Sequence, residues 1–182
     1  MPRKICLRSK LPVFFTLLLA ITLAGAGWRA TPAAAPPSEE EAVLRVVQEF
    51  FDTMAARDAE AQRRIMLPEG RFFSVRETEG EVRLRSFTNA ESAAQLAAAQ
   101  ERWLERMWNP KVLVHGRIAV VWTPYDFYRD ARFSHCGMDA FNLIKTGDGW
   151  KIAGGVYTVE PAGCAPSPLG PPQPGQKEKG KR

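Results

Sequence analysis

Asp126, His135 and Asp139 are the residues whose types and spacing suit proton transfer. An imidazole titrates near neutrality, so it can accept a proton from carbon and return it elsewhere. In the chemical reading, Asp126 orients His135 and stabilises its charged form. His135 is then the general acid or base, and Asp139 raises its pKa or binds substrate. In the alternative reading Asp126 and His135 are a cross-strand pair that closes a hairpin, which contributes ~0.2–1 kcal/mol and implies no catalysis. Tyr125 and Tyr128 are further hydroxyl donors, of which at most one shares the cluster's face. The other histidine, His115, sits beside a glycine turn and is expected to face solvent. Two histidines exclude a His-rich metal site, and two carboxylates with one histidine carry no motif that fixes metal geometry. Nucleophile elbow, phosphate loop and paired zinc-ligand spacing are all missing from the sequence. Neither metal nor cofactor is expected.

Strands must position these residues. The chain reads as strands over 71–76, 81–87, 111–115, 117–128, 133–146 and 149–159, with Gly147-Asp148 as a strong hairpin tip. Counting back from that tip places Leu143 opposite Ile152, Phe141 opposite Gly154 and Asp139 opposite Val156. With a turn over 129–132, Asp126 faces His135, Trp122 faces Asp139 and Val120 faces Phe141. Because side chains two apart share a face, one face gathers Ile118, Val120, Trp122, Phe141, Leu143, Ile152 and Val156, with the three ionisable groups at one end. Val120, Trp122, Phe141, Ile152 and Val156 would then line a ligand pocket. A bulge would shift this register by one residue and turn the set over. The opposite face, with Val121, Thr123, Phe127 and Met138, is too apolar for full exposure and reads as a homodimer surface.

Helices precede the strands. Ser38 followed by Glu39-Glu40-Glu41 is a helix start, and Val43, Val47, Phe50, Phe51 and Met54 continue at helical spacing to about Arg57. Asp58 caps a short helix through Arg64. Asn89 caps a third expected over 90–106, with Leu96, Trp103 and Met107 on its apolar face. Hairpins behind helices make an α+β domain. Trp103, Trp108, Trp122 and Trp150 are core by default, though indoles also stack flat rings. Arg83 and Arg85 alternate with Val82 and Leu84 and read as a solvated or dimer-facing rim.

The ends have their own grammar. Arg3, Lys4, Arg8 and Lys10 precede an apolar run over 11–24 and the small residues Ala24-Gly25-Ala26, the pattern of a signal peptide over 1–26. Residues 27–38 are an Ala/Pro linker, 39–164 the folded domain, and 165–182 a Pro/Gly/Lys tail with little to bury and expected to be disordered. The formal charge is +5, but four positive charges lie in the first ten residues and a net three in the last six, leaving −2 between them. No nucleic-acid surface is expected from such a body, and no membrane association once the signal is removed. A secreted or periplasmic location follows, with an uncleaved anchor as the alternative. Export makes a Cys136–Cys164 disulfide the natural pairing, because Cys136 faces Val159 and Cys164 lies just beyond. Two unpaired thiols are the alternative.

Val120 to Trp122, Tyr125-Asp126-Phe127, His135-Cys136-Gly137, Asp139-Ala140-Phe141, Gly149-Trp150-Lys151-Ile152, Tyr157-Thr158-Val159 and Cys164 together carry a family resemblance. In these residues and in element order the chain resembles the nuclear-transport-factor-2-like superfamily, in particular its lumazine-binding-like branch. The resemblance implies a cone, a curved antiparallel sheet wrapped around helices with a pocket between, also called a cystatin-like α+β roll. Relatives include isomerases and dehydratases as well as binding and structural domains, so the fold alone does not choose a function. The expected partner is a small aromatic or cyclic ligand. Three functions stay open: ligand binding, cofactor-independent isomerase, dehydratase or cyclase chemistry, and a dimerisation domain without ligand.

Overall fold

The computed structural model describes residues 36–172; the signal and linker readings up to residue 35, and the tail beyond 172, lie outside the described residues. Helix α1 spans Glu39–Ala56. Its Ser38 hydroxyl accepts from the Glu41 backbone N–H while the Glu41 carboxylate accepts from the Ser38 N–H, a reciprocal cap. Its apolar stripe of Val43, Val47, Phe50, Phe51 and Met54 is buried. Arg57 ends it in the left-handed region, and the Asp58 carboxylate caps α2, Ala59–Ile65.

The sheet strands are β1 Met66–Thr78, β2 Glu81–Thr88, β3 Trp103–Met107, β4 Lys111–His115, β5 Ile118–Arg129, β6 Arg132–Thr146 and β7 Gly149–Thr158, with α3, Asn89–Ala98, between β2 and β3. They pair in the order β2-β1-β7-β6-β5-β3, and β4 pairs with the other half of β5. The expected α+β cone is therefore present, with one refinement: all pairings are antiparallel except β1 with β7, which is parallel. The helices fill the concave side, where Phe50, Phe51, Phe72 and Phe141 meet mostly edge to face at 5.6–6.0 Å between ring centres.

The third helix is shorter than its composition predicts. Thr88, not Asn89, is its cap, and it stops at Ala98. Arg57 donates to the Ala99 and Gln100 carbonyls at this helix end. Residues 103–107 are instead held as a strand by β5, with Leu104 opposite Tyr128 and Arg106 opposite Asp126. Asn89 is buried, and its amide donates to the Leu67 and Ile152 carbonyls, tying α3 to the sheet.

Two bulges decide which side chains face inward. On β6, Phe127 pairs with His135 but Tyr128 with Phe133, so Ser134 is the extra residue. On β7, Leu143 pairs with Ile152 but Asn142 with Gly154, so Ala153 is extra. Gly154 takes φ +139°, and a Cβ there would lie 2.1 Å from the Arg71 carbonyl oxygen, which is why glycine occupies the bulge. Each bulge shifts the remaining register by one. Asp126 consequently faces Cys136, not His135; Trp122 faces Ala140, not Asp139; Val121, not Val120, faces Phe141; and Asp139 faces Tyr157, not Val156.

The single face read from the sequence thus divides. His135, Asp139, Phe141, Leu143 and Ile152 point into the cone. Ile118, Val120, Trp122 and Val156 lie on its outer surface, where Trp122 is 48 % exposed and Val156 43 %. Of the four residues expected on a dimer surface, Val121, Thr123 and Phe127 move the other way and are buried, while Met138 is half-buried. Cys136 and Cys164 form a disulfide with a Cα separation of 6.0 Å.

Candidate functional site

A cavity of about 430 Å³ opens between α1, α3 and the concave face of the sheet. Its apolar walls are Phe50, Met54, Phe72, Phe87, Trp103, Phe127 and Phe141. Polar groups reach it from six strands: Ser74 from β1, Arg85 from β2, Glu105 from β3, Tyr125 and Arg129 from β5, His135 and Asp139 from β6, and Tyr157 from β7. The volume lies in the range of small-molecule sites.

Glu105 and Asp139 are the chemical centre of this cavity. Asp139 is 4 % exposed, and among the described residues no ordinary donor reaches its Oδ2. Burial pushes its carboxyl up to about 7, an effect only partly offset by a hydrogen bond from Glu105. Burial also drives Glu105 well above the usual carboxylate range, reinforced by the negative charge of Asp139 and, further off, of Asp126. Two facing carboxyls can bond to each other only through a proton, so the pair shares one when it bonds. The Trp103 indole N–H is likewise buried and unpartnered in the cavity wall.

The surrounding hydroxyls are largely engaged. Tyr125 donates to the Thr158 carbonyl oxygen at 2.7 Å, an approach that needs Gly137, where a Cβ would sit 2.2 Å from that same oxygen. Burial raises the phenols of Tyr125 and Tyr157, and the Glu105 charge adds to both. Tyr157 also hydrogen-bonds Ser74. The His135 ring lies 4.9 Å from the Phe127 ring centre and 5.7 Å from that of Tyr125, with Nδ1 3.0 Å from the Ser134 hydroxyl. Burial, helped by Arg129 and Arg76, lowers its pKa to about 4. At neutral pH it is an uncharged imidazole.

Of the predicted proton-transfer trio, the cavity contains His135 and Asp139 and lacks Asp126. That carboxylate is 2 % exposed on the outer side, where Arg106 grips it through Nε at 2.9 Å and Nη2 at 2.5 Å. Arg106 Nη2 also donates to the Tyr128 hydroxyl and to the Gly170 carbonyl, so residues 165–172 of the expected tail have an anchor. Among the predicted pocket residues, Phe141 lines the cavity and Ile152 is buried beneath it. Val120, Trp122 and Val156 do not reach it, because the bulges turn them outward. Glu105 was hidden from sequence reading by its assignment to a helix; the alternation Trp103-Glu105-Met107 was the signal that could have revealed it. Among the described residues no group of three or more His, Cys, Asp or Glu is arranged to hold a metal ion.

Residues 38–158 match the family described as "Putative lumazine-binding". No curated protein matches the chain. Solved structures that resemble it share its fold at low identity. A nuclear-transport-factor-2-like protein from Cytophaga hutchinsonii superposes with TM-score 0.57 at 11 % identity, over 68 % of this chain and 99 % of that one. A superfamily member from Salmonella enterica gives 0.54 at 13 %, over 70 % and 94 %. A "putative dehydratase" of the same family from Streptomyces avermitilis gives 0.53 at 18 %, over 68 % and 97 %. With its helices packed in the hollow of a curled sheet shared with nuclear-transport-factor-2-like proteins, and its sequence matched from the α1 cap to the end of β7, the chain belongs to the putative lumazine-binding family.

Proposed function

We propose that this domain binds a small aromatic or cyclic molecule in the cone. The observation that carries the reading is an aromatic-walled cavity whose lining includes Asp139 and Trp103, each with a buried polar atom, Oδ2 and Nε1, that no ordinary donor or acceptor among the described residues meets. Unpaired buried polar groups cost ~1–3 kcal/mol each, and a ligand that completes them recovers that loss. The Cys136–Cys164 disulfide and the signal-like opening support action in an exported, oxidising compartment. Native mass spectrometry on the protein produced by export tests the reading. A bound adduct, or saturable uptake of heterocycles and ring ketones that Phe141→Trp abolishes by filling the cavity, is expected. A folded protein that takes up none of them refutes it.

A second reading, proton transfer on the bound ring, is favoured by the carboxyl pair. A carboxyl held near neutrality can both take and return a proton. His135, uncharged, would serve as hydrogen-bond partner and not as the acid. The check is exchange of ring-ketone α-protons in deuterated water: Asp139→Asn should abolish it, and exchange that survives the substitution removes Asp139 from the reaction.

The outer face supports association with a second copy. Trp122, Ala140, Val156 and Phe73 are consecutive partners across β5, β6, β7 and β1, an uncharged row with Trp122, Val156 and Phe73 each more than 40 % exposed. Trp122→Glu should convert a dimer to monomer in sedimentation without emptying the cavity; a wild-type monomer at high concentration refutes the association.

A further inference from the structure

The cavity separates its charges. Arg85 and Arg129 reach it from exposed positions, whereas Asp139 is buried and Glu105 half-buried in its wall. Arg129 is near Glu101, at 3.6 Å, and stacks over Phe127; Arg106, which follows Glu105 in sequence, is spent on Asp126 outside the cone. Among the described residues neither Glu105 nor Asp139 forms an ion pair with a Lys or Arg, although a buried carboxylate ordinarily requires one. Resting on the reading that a flat ring enters the cavity, we propose that the ring is a nitrogen base, with a ring nitrogen beside an exocyclic amine, bound as its cation against the Glu105–Asp139 pair.

Three ligand classes can be compared on the groups present. An amidinium edge presents two parallel N–H donors, the arrangement a carboxylate receives best, and supplies the missing positive charge. A neutral lactam edge offers one donor and one acceptor. It can engage Asp139 and the Trp103 N–H but leaves the charge of the pair unbalanced. A ring carboxylate adds a third acid to two that already repel each other and is excluded from the inner wall. The base arrives protonated, or takes the carboxyl proton as it docks, the O–H bond giving way to an N–H. In both cases the complex holds a cation beside an ionised carboxylate. The aromatic walls, including Phe72, Phe127 and Phe141, supply the stacking surface for such a cation.

Isothermal titration near neutral pH with three isosteric probes tests the inference: 2-aminoquinoline, 2-quinolone and quinoline-2-carboxylate. The amine is expected to bind at least ~10-fold more tightly than the quinolone, with the acid weakest. Asp139→Asn, and independently Glu105→Gln should the first variant fold poorly, is expected to erase that preference. Equal or tighter binding of the quinolone or the acid overturns the inference and leaves ring binding standing. A preference for the amine that survives both substitutions overturns it too. If none of the probes binds, the ring-binding reading itself fails.

Discussion

Asp139→Asn should stabilise the folded protein above neutrality and should do nothing for it in mild acid. A carboxyl moved from its ordinary 3.8 to about 7 by burial binds its proton more tightly in the folded than in the unfolded chain. At 1.36 kcal/mol per tenfold change in proton affinity, that difference amounts to about 4 kcal/mol. The sign comes from the extra proton in the folded state: stability is fully present below about pH 4 and is lost as pH rises through about 7. Near pH 8 the wild type therefore carries most of this penalty and the asparagine variant carries none. The amide will not satisfy every partner the carboxyl had, so a net gain of about 2 kcal/mol is expected. For a domain of this size that is roughly 6–10 °C in Tm.

The assay is chemical and thermal unfolding of both proteins at about pH 5 and about pH 8, read as the difference between them so that other titrating groups cancel. The variant's advantage should grow across this interval. An advantage that stays constant with pH, or a wild type that gains on the variant as pH rises, would show that Asp139 is not held as an unpaired buried acid. The shared-proton account of the Glu105–Asp139 pair would then fall with it.

His135 predicts the opposite slope. Its folded pKa of about 4 lies below the ordinary 6.5, so wild type should gain stability over His135→Gln as pH rises from about 4 to about 6.5, and no further; denaturant midpoints across that range measure it. Arg106→Met or Asp126→Leu alone should cost about 3–5 kcal/mol by stranding a buried charge, whereas the two together should be close to neutral, and urea unfolding of all three against wild type closes the cycle. Cys164→Ser opens a loop with a sequence separation of 28 and should lower stability by about 3–4 kcal/mol without altering uptake of cavity ligands, as titration calorimetry would show.

The fold was legible in the sequence because its signals are local. Ser38 with Glu41, Asp58 ahead of a short helix, and Gly147-Asp148 between apolar strands each specify their element over a few residues, and all three hold. The inward face was not legible, because a strand's facing depends on every residue between it and the turn. Ser134 and Ala153 are single insertions, and each reverses the facing of the strand beyond it. Gly154 was the one visible warning, since glycine within a strand often marks a bulge. No comparable sign attends Ser134, so Asp126 and His135 looked like partners while lying on opposite faces. The 103–107 segment failed for another reason: an Ala-, Gln- and Glu-rich run carries helix propensity past the point where pairing with β5 takes over.

Glu105 and Arg106 show what register can decide. They are neighbours on β3, so they point to opposite faces: Arg106 outward to Asp126, Glu105 inward beside Asp139. A slip of β3 by one residue would exchange them, setting the guanidinium beside Asp139 and neutralising the cavity. The observed register does the reverse. The outer acid receives the cation, although that ion pair could be replaced by apolar contacts at little cost, and the inner acid receives a second acid. Trp103 and Met107, on the same inward set as Glu105, and the Asp130 side chain, which accepts from the Arg102 N–H, hold this choice. The carboxyl pair against the aromatic wall is the feature on which the proposed ligand recognition rests, and Glu105→Gln, which leaves the Arg106–Asp126 pair intact, should lose affinity for cationic rings in titration calorimetry without the cost of stranding Asp126.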